Sequence, residues 1–120
     1  VVEHLEQYSY IDITLDCFPN GGCTTSCEAL WMGVPVITLT GSSYVSRMST
    51  AVLAGASLNQ YCASDIQNYL SLAINLSENK SWLRQNRDYW RNLLSNSPLG
   101  YTSQLLHSID HAFVDMVKSR

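Results

Sequence analysis

"YIDITLDCFPNGGCTTSCEALWMGVPVITLT" (residues 10–40) carries the signals of a strand, a turn, a helix and a second strand in succession. Residues 10–16 alternate apolar and polar side chains, which predicts a strand. A glycine pair at 21–22 breaks the chain, and helical spacing follows over 24–33. The β-branched run 34–40 is typical of a strand buried on both faces. This order is one βαβ unit of a parallel sheet, for which a right-handed crossover is expected.

The remaining residues predict a helical C-terminal part. A loop and a short helix are expected over 41–57, and "SNSPLG" (95–100) reads as a loop before the last helix. The fold class is therefore α/β, with a partial parallel sheet flanked by helices, and we assign residues 1–120 to one domain. Apolar residues at helical spacing mark three helices: Ile66, Tyr69, Leu70, Ala73 and Leu76; Trp82, Leu83, Tyr89, Trp90 and Leu94; and Leu105, Ile109, Ala112, Phe113, Met116 and Val117.

The start of the sequence leads us to expect a piece of a longer protein. "VVEHLEQY" (1–8) has no initiator methionine and reads as a helix already under way. Two strands are also too few for a stable sheet, and a buried parallel strand needs neighbours on both sides. We expect the missing neighbours upstream of Val1.

Composition excludes several classes of protein. Of the 120 residues, 46% are hydrophobic and 14% are charged, which is typical of a soluble globular chain. The net charge of −3 and the lack of a basic cluster argue against a nucleic-acid partner, and no apolar run is long enough for a membrane span. Cys17, Cys23, Cys27 and Cys62 fit neither a disulfide framework nor a common zinc spacing. We expect reduced thiols, no metal and a cytoplasmic location.

The junction after the first strand is the candidate site. In open α/β sheets ligands bind at the carboxyl ends of strands, and a helix N-terminus there binds phosphate. Gly21 and Gly22 lack the Cβ atoms that would keep ligand oxygens from the backbone. Thr24 and Thr25 add hydroxyl donors, and Glu28 could accept hydrogen bonds from a ribose. Together these residue types indicate a nucleotide.

A second interpretation of the same residues needs no ligand. Thr25 and Glu28 also fit a capping box, in which the threonine caps the helix and the glutamate bonds back to its amide. The stretch is neither a dinucleotide fingerprint nor a P-loop, so the pattern alone leaves both interpretations open.

Three further residues are weaker candidates. Arg47 follows the second strand, where its guanidinium could reach a phosphate, although an ordinary surface role is equally compatible. His107 and His111 lie one turn apart on the last predicted helix, a spacing that metal sites use. No third ligand accompanies them, so a solvated or packing role is favoured.

"DITLDCFPNGGCTTSCEALWMGVPVITLTG" (12–41), with "SR" at 46–47 and "SPL" at 97–99, resembles the C-terminal catalytic lobe of the O-linked N-acetylglucosamine transferase and SPINDLY-like family. The resemblance extends from about His4 to Phe113. It implies a Rossmann-like C-terminal lobe of a GT-B glycosyltransferase, with the donor in the cleft between two lobes. It also implies inverting, metal-independent transfer of a sugar from a nucleotide to serine or threonine, without a cofactor.

The resemblance also implies roles for individual residues. The family's threonine pair falls on Thr24 and Thr25, which would hold the diphosphate. The acidic residue three positions later falls on Glu28 and would bind the ribose; the animal enzymes have aspartate there. The residue before the pair is histidine in the animal enzymes and Cys23 here, so an imidazole contact to the phosphates is lost.

The family's phosphate-binding lysine, its base-recognition segment, its catalytic base and its acceptor lobe would lie upstream of Val1. We therefore expect no catalytic residue in this chain and no sugar transfer by the chain alone. The expected partners are a nucleotide-sugar donor, a protein acceptor, the upstream lobe and tetratricopeptide repeats, in a bacterial parent. UDP-N-acetylglucosamine is the leading donor. A GDP-fucose-type donor and a non-catalytic interaction module attached to a repeat array are the alternatives.

Overall fold

A parallel sheet forms the centre of the computed structural model, which describes residues 2–119. Its strands follow the order β1-β2-β3, so β2 is the central strand. Thr14 pairs with Val36 between β1 and β2, and Thr38 pairs with Cys62 between β2 and β3. The strands are β1 (Thr14–Leu15), β2 (Val36–Leu39) and β3 (Cys62–Ala63).

Seven α-helices surround this sheet within residues 2–119. Short 3-10 turns at Gln7–Tyr10, Val45–Arg47 and Asn59–Tyr61 join some of them to neighbouring segments. The helices are α1 (Val2–Glu6), α2 (Thr24–Trp31), α3 (Met48–Gly55), α4 (Ile66–Ser77), α5 (Lys80–Gln85), α6 (Arg87–Ser95) and α7 (Thr102–Lys118).

The predicted βαβ unit is confirmed. Helix α2 connects the parallel strands β1 and β2, and Gly33 ends it with a positive φ of 77°. Glycine adopts this conformation without the steric cost that a Cβ imposes. Strand β2 is buried along most of its length, as its β-branched sequence predicts.

The first strand is shorter than predicted. Residues 7–10 form a 3-10 turn, and Ile11 donates its amide to the carbonyl of Tyr8 at 3.2 Å. Only Thr14–Leu15 enter the ladder, so the alternating pattern extends beyond the pairing. Strand β3 was not predicted, because two residues, Cys62-Ala63, carry no periodicity.

The helical part differs from the predicted stripes in two places. Ile66 and Leu70 of α4 are exposed, while Tyr69 is buried against the sheet. The predicted second helix is two helices, α5 and α6, which break at Asn86. Trp90 is 0% exposed and belongs to the main core, in which residues of α2, β2, α3 and α6 meet.

Helix α7 contains no buried residue. Its apolar side chains keep the predicted helical spacing but have no core to enter within residues 2–119. Among these residues, no helix combines the length and the apolar character that crossing a bilayer requires.

Candidate functional site

The loop between β1 and α2 is held by internal hydrogen bonds at both glycines. The Gly21 amide donates to the carbonyl of Val45 at 3.1 Å, and the Gly22 amide donates to Oδ1 of Asp16 at 2.8 Å. A Cβ on Gly22 would lie 2.2 Å from Oγ1 of Thr25, and one on Gly21 would lie 3.1 Å from Oδ2 of Asp16. Because they have no Cβ, the two glycines let the loop backbone lie close to the side chains of Asp16 and Thr25. A direct contact of either glycine with a ligand remains a prediction.

Asp16 is the buried anchor of this loop. Its side chain follows β1, and the residue is 8% exposed. Its Oδ2 accepts a hydrogen bond from Oγ1 of Thr38 at 2.7 Å, and its carbonyl accepts one from the hydroxyl of Tyr69 at 2.9 Å. Burial raises the pKa of Tyr69, and the nearby Asp16 carboxylate adds to this rise, so the phenol remains a donor.

The N-terminus of α2 is open. Cys23 precedes the helix and makes no side-chain cap. The first backbone bond of the helix runs from the Cys27 amide to the Cys23 carbonyl at 3.1 Å. Within residues 2–119 the amides of residues 23–26 have no hydrogen-bond partner, as the geometry of a helix start requires. Thr24 and Thr25 are both exposed beside them. We call the four amides and the two threonine hydroxyls the candidate phosphate site.

The capping-box interpretation is wrong for this structure. The helix begins at Thr24, so Thr25 is already its second residue and cannot be its cap. The Glu28 carboxylate does not return to the Thr25 amide; its Oε2 lies 3.3 Å from Nε2 of His4.

Glu28 and His4 form a polar pair beside α1. The His4 side chain is 60% exposed and that of Glu28 is 29% exposed, so a ligand can reach both. The His4 ring packs edge-on against Tyr8, with the ring centroids 5.8 Å apart. The Tyr8 hydroxyl in turn donates to the carbonyl of Thr25 at 3.5 Å. The pair can accept and donate hydrogen bonds next to the helix that carries the candidate phosphate site.

Arg47 and Cys23 line one cavity. Its volume is about 420 Å³, and Tyr44, Met48 and Leu99 contribute to its wall. Arg47 makes no ion pair with a carboxylate of residues 2–119. The guanidinium is therefore available to an anion near the start of α2. A second cavity, of about 660 Å³, lies where β2 and β3 end and includes Phe18 and Ser46 in its lining.

The four cysteines are unpaired, and the two histidines of the last helix lie on the surface. All four cysteines are free thiols, and burial raises the pKa of Cys27 and Cys62. His107 and His111 are exposed on α7. In the part of the chain from residue 2 to 119, no three His, Cys, Asp or Glu side chains are grouped to hold a metal ion.

Two residues that shape this region, His4 and Asp16, were not identified from the sequence. His4 could not be interpreted there, because its neighbour Glu28 is 24 positions away. The importance of Asp16 had one available signal: Thr38 is a hydroxyl in an otherwise apolar buried strand, and a buried hydroxyl needs a partner.

The arrangement is that of an open parallel α/β protein, in which a loop and a helix N-terminus meet at the carboxyl end of a strand. Residues 2–109 match glycosyl transferase family 41, and the chain belongs to that family.

Individual relatives agree with this assignment. A rice protein (Oryza sativa subsp. japonica) described as probable UDP-N-acetylglucosamine–peptide N-acetylglucosaminyltransferase SPINDLY is 33% identical over 114 residues, which are 95% of this chain and 12% of the relative. A Caenorhabditis elegans UDP-N-acetylglucosamine–peptide N-acetylglucosaminyltransferase is 28% identical over 97% of this chain and 10% of the relative. The structure of a mutant O-GlcNAc transferase of Thermobaculum terrenum superposes with a TM-score of 0.79 and 32% identity, covering 99% of this chain and 24% of that one. The predicted family and GT-B fold class are thereby confirmed.

Proposed function

We propose that this chain is the donor-binding part of a protein O-glycosyltransferase that transfers N-acetylglucosamine from its UDP conjugate to serine or threonine. The observation that carries the proposal is the open row of amides at residues 23–26, flanked by Thr24 and Thr25, in a member of family 41. The chain spans 12% of its rice relative, so the activity belongs to the longer parent protein. We expect the chain alone not to transfer sugar.

In this proposal the candidate phosphate site stabilises the leaving group. Breaking the bond between sugar and phosphate leaves negative charge on the diphosphate. Preoriented amides at a helix N-terminus, together with hydroxyls, stabilise such charge without reorganising. Thr24 and Thr25 contribute the hydroxyls, and Arg47 adds a positive charge from the neighbouring cavity wall. Because the residues of the chain neutralise this charge, we expect transfer to proceed in the presence of a metal chelator.

The ribose of the donor is assigned to Glu28. Its carboxylate can accept hydrogen bonds from vicinal hydroxyls, and His4 at 3.3 Å holds it in place. Cys23 lies at the edge of the site and supplies its backbone amide rather than an imidazole. We also propose that the transfer inverts the configuration at the anomeric carbon of the sugar. The anomeric configuration of the product tests this directly.

Calorimetric titration of the full-length parent with UDP and with GDP tests the proposal. A hydrogen bond to a charged group contributes about 1.5–3 kcal/mol, so Thr24→Ala should weaken UDP binding about tenfold or more. Thr102→Ala is the matched control. Thr102 is likewise the exposed first residue of a helix that lacks a side-chain cap, and it belongs neither to the candidate phosphate site nor to the lining of the Arg47 cavity. Its removal should leave the affinity unchanged.

The same titration separates the alternatives. Preference for GDP would redirect the donor to a GDP-fucose type. Binding of neither nucleotide would contradict the proposal and favour an interaction module. The parent is further expected to be a cytoplasmic bacterial protein with tetratricopeptide repeats, which its upstream sequence would reveal.

A further inference from the structure

Side chains from three segments hydrogen-bond to the amide and the carbonyl of Gly22, and a fourth segment holds one of these side chains. The amide donates to Asp16, which follows β1, at 2.8 Å. The carbonyl accepts from Oγ of Ser49 in α3 and, at 3.4 Å, from Oγ of Ser26 in α2. The two serine hydroxyls lie 2.9 Å apart, and Thr38 of β2 holds the second carboxylate oxygen of Asp16 at 2.7 Å. Both the amide and the carbonyl of Gly22 are therefore hydrogen-bonded.

The Asp16 carboxylate is itself held rigidly. Burying a charged group is costly unless hydrogen bonds compensate for the lost water. Each of its oxygens has a donor, and hydrogen bonds to an ionised acceptor are about twice as strong as neutral ones. Asp16 is thus a fixed point against which the loop is positioned, in contrast to a solvated surface carboxylate.

Gly22 lies between two peptide planes. Asp16 holds the plane that contains the Gly22 amide, and Ser49 and Ser26 hold the plane that contains the Gly22 carbonyl and the Cys23 amide. A trans peptide is planar, so the carbonyl of Gly22 and the amide of Cys23 point in opposite directions. The carbonyl faces the buried hydroxyls of Ser26 and Ser49. The Cys23 amide consequently points away from them, and it is the first of the four unpartnered amides of the candidate phosphate site.

We propose that Asp16 is a positioning residue for the donor diphosphate. It holds the peptide plane before Gly22, while Ser26 and Ser49 hold the plane after it, and together they orient the amides that start α2. Thr38 holds Asp16 in the required orientation. This inference rests on the proposed function, since it concerns the same site. Both Asp16 oxygens already accept hydrogen bonds from the protein and the residue is buried, so the proposal gives it no direct contact with the ligand.

Two substitutions in the full-length parent test this role. Asp16→Ala removes both bonds and should weaken UDP binding about tenfold, the equivalent of one hydrogen bond to a charged group. Thr38→Val removes only the bond that orients the carboxylate and should weaken UDP binding about threefold. Thr38→Ser retains the hydroxyl and should restore binding to within about twofold of the wild type.

Asp12→Ala is the matched control for Asp16→Ala. Asp12 is a carboxylate four positions earlier that also accepts two hydrogen bonds, from Arg84 at 2.7 and 2.8 Å. Its loss should leave UDP affinity unchanged. Steady-state kinetics give a second measurement. The KM for the donor should rise in Asp16→Ala and Thr38→Val, while the KM for the acceptor peptide stays constant. A loss of stability alone would not change one KM and leave the other constant.

The outcomes separate this inference from the proposed function. If folded Asp16→Ala and Thr38→Val bind UDP as the wild type does while Thr24→Ala does not, the role of Asp16 is overturned and the site stands. If the wild type binds neither UDP nor GDP, the proposed function fails. Hydrogen exchange of the Gly22 amide then still tests the orientation, because this amide donates to Asp16. Faster exchange in Thr38→Val than in Thr38→Ser supports the role of Thr38, and equal exchange contradicts it. If Asp16→Ala does not fold, the two Thr38 variants decide.

Discussion

Gly33 passes against the backbone of Arg87 with no room for a side chain. A Cβ on Gly33 would lie 2.5 Å from the Cβ of Arg87 and 2.6 Å from its carbonyl oxygen. The two residues join the end of α2 to the start of α6, which is one of the principal helix contacts of the fold. The contact keeps the helix of the candidate site in a fixed position on the C-terminal helices.

Gly33→Ala should therefore destabilise the chain by about 2–5 kcal/mol. A left-handed conformation costs a residue with a Cβ about 1–2 kcal/mol, and the steric overlap adds about 1–3. Urea unfolding followed by circular dichroism measures the change. Gly55→Ala is the control, because a Cβ there meets only Leu99 at 3.6 Å. It should be neutral or stabilising by about 0.5 kcal/mol; equal losses in both variants would contradict the packing explanation.

Arg87→Met should destabilise the chain by about 2 kcal/mol. The Arg87 guanidinium donates to the carbonyls of Tyr8 at 3.0 Å and Ile11 at 2.8 Å, so it fastens the N-terminal segment to α6. Hydrogen bonds from a charged donor contribute about 1.5–3 kcal/mol. Arg47→Met is the matched control, since exposed Arg47 makes no ion pair within residues 2–119. Its urea midpoint should equal that of the wild type.

Trp90→Ala should destabilise the chain by about 3–5 kcal/mol, because it opens a cavity in the main core. Trp90 is 0% exposed and packs edge-on against Tyr61 at a centroid distance of 5.4 Å. Trp82→Ala provides the comparison, as Trp82 is 46% exposed. We expect a loss of about 1 kcal/mol there. Thermal unfolding of the two variants gives the ranking, and a larger loss for Trp82 would contradict the assigned core.

The stability contribution of Asp12 should depend on pH. The hydrogen bond from Arg84 lowers the pKa of Asp12, although burial partly opposes this effect. A folded pKa below the unfolded value, about 3.9, adds stability that is present above the unfolded pKa and is lost as the pH falls through the folded pKa. The urea midpoint of Asp12→Asn should fall below that of the wild type at about pH 7, and the difference should shrink below about pH 4. A constant difference would exclude this ion pair as its source.

Local chemistry made much of the βαβ unit predictable. The glycine pair, the helical spacing after it and the β-branched run each act over a few neighbouring residues, and Gly33 ends α2 as predicted. The alternation over 10–16 overstated β1, because a strand extends only as far as its partner does. The stripe of α4 was partly wrong: Tyr69, Ala73 and Leu76 face the core, and Tyr69 reaches the carbonyl of Asp16, but Ile66 and Leu70 are exposed.

The candidate site was predictable in its residues and less so in its contacts. The threonine pair and the helix start follow from the sequence between positions 21 and 28. The contacts of the loop do not, since Asp16 at its start meets Thr38 of β2, and Gly22 meets Ser49 of α3, only in the folded chain. The same holds for His4, whose contact with Glu28 crosses from α1 to α2.

The hydrogen bonds around Gly22 have a practical consequence for engineering. A graft of residues 16–33 onto an unrelated protein would carry Asp16, the glycines and the threonines but would leave behind Thr38 and Ser49. The turn would then lose the side chains that hold the Gly22 carbonyl and the Asp16 carboxylate. A transplant that keeps the geometry of this turn must therefore include the following elements β2 and α3 as well.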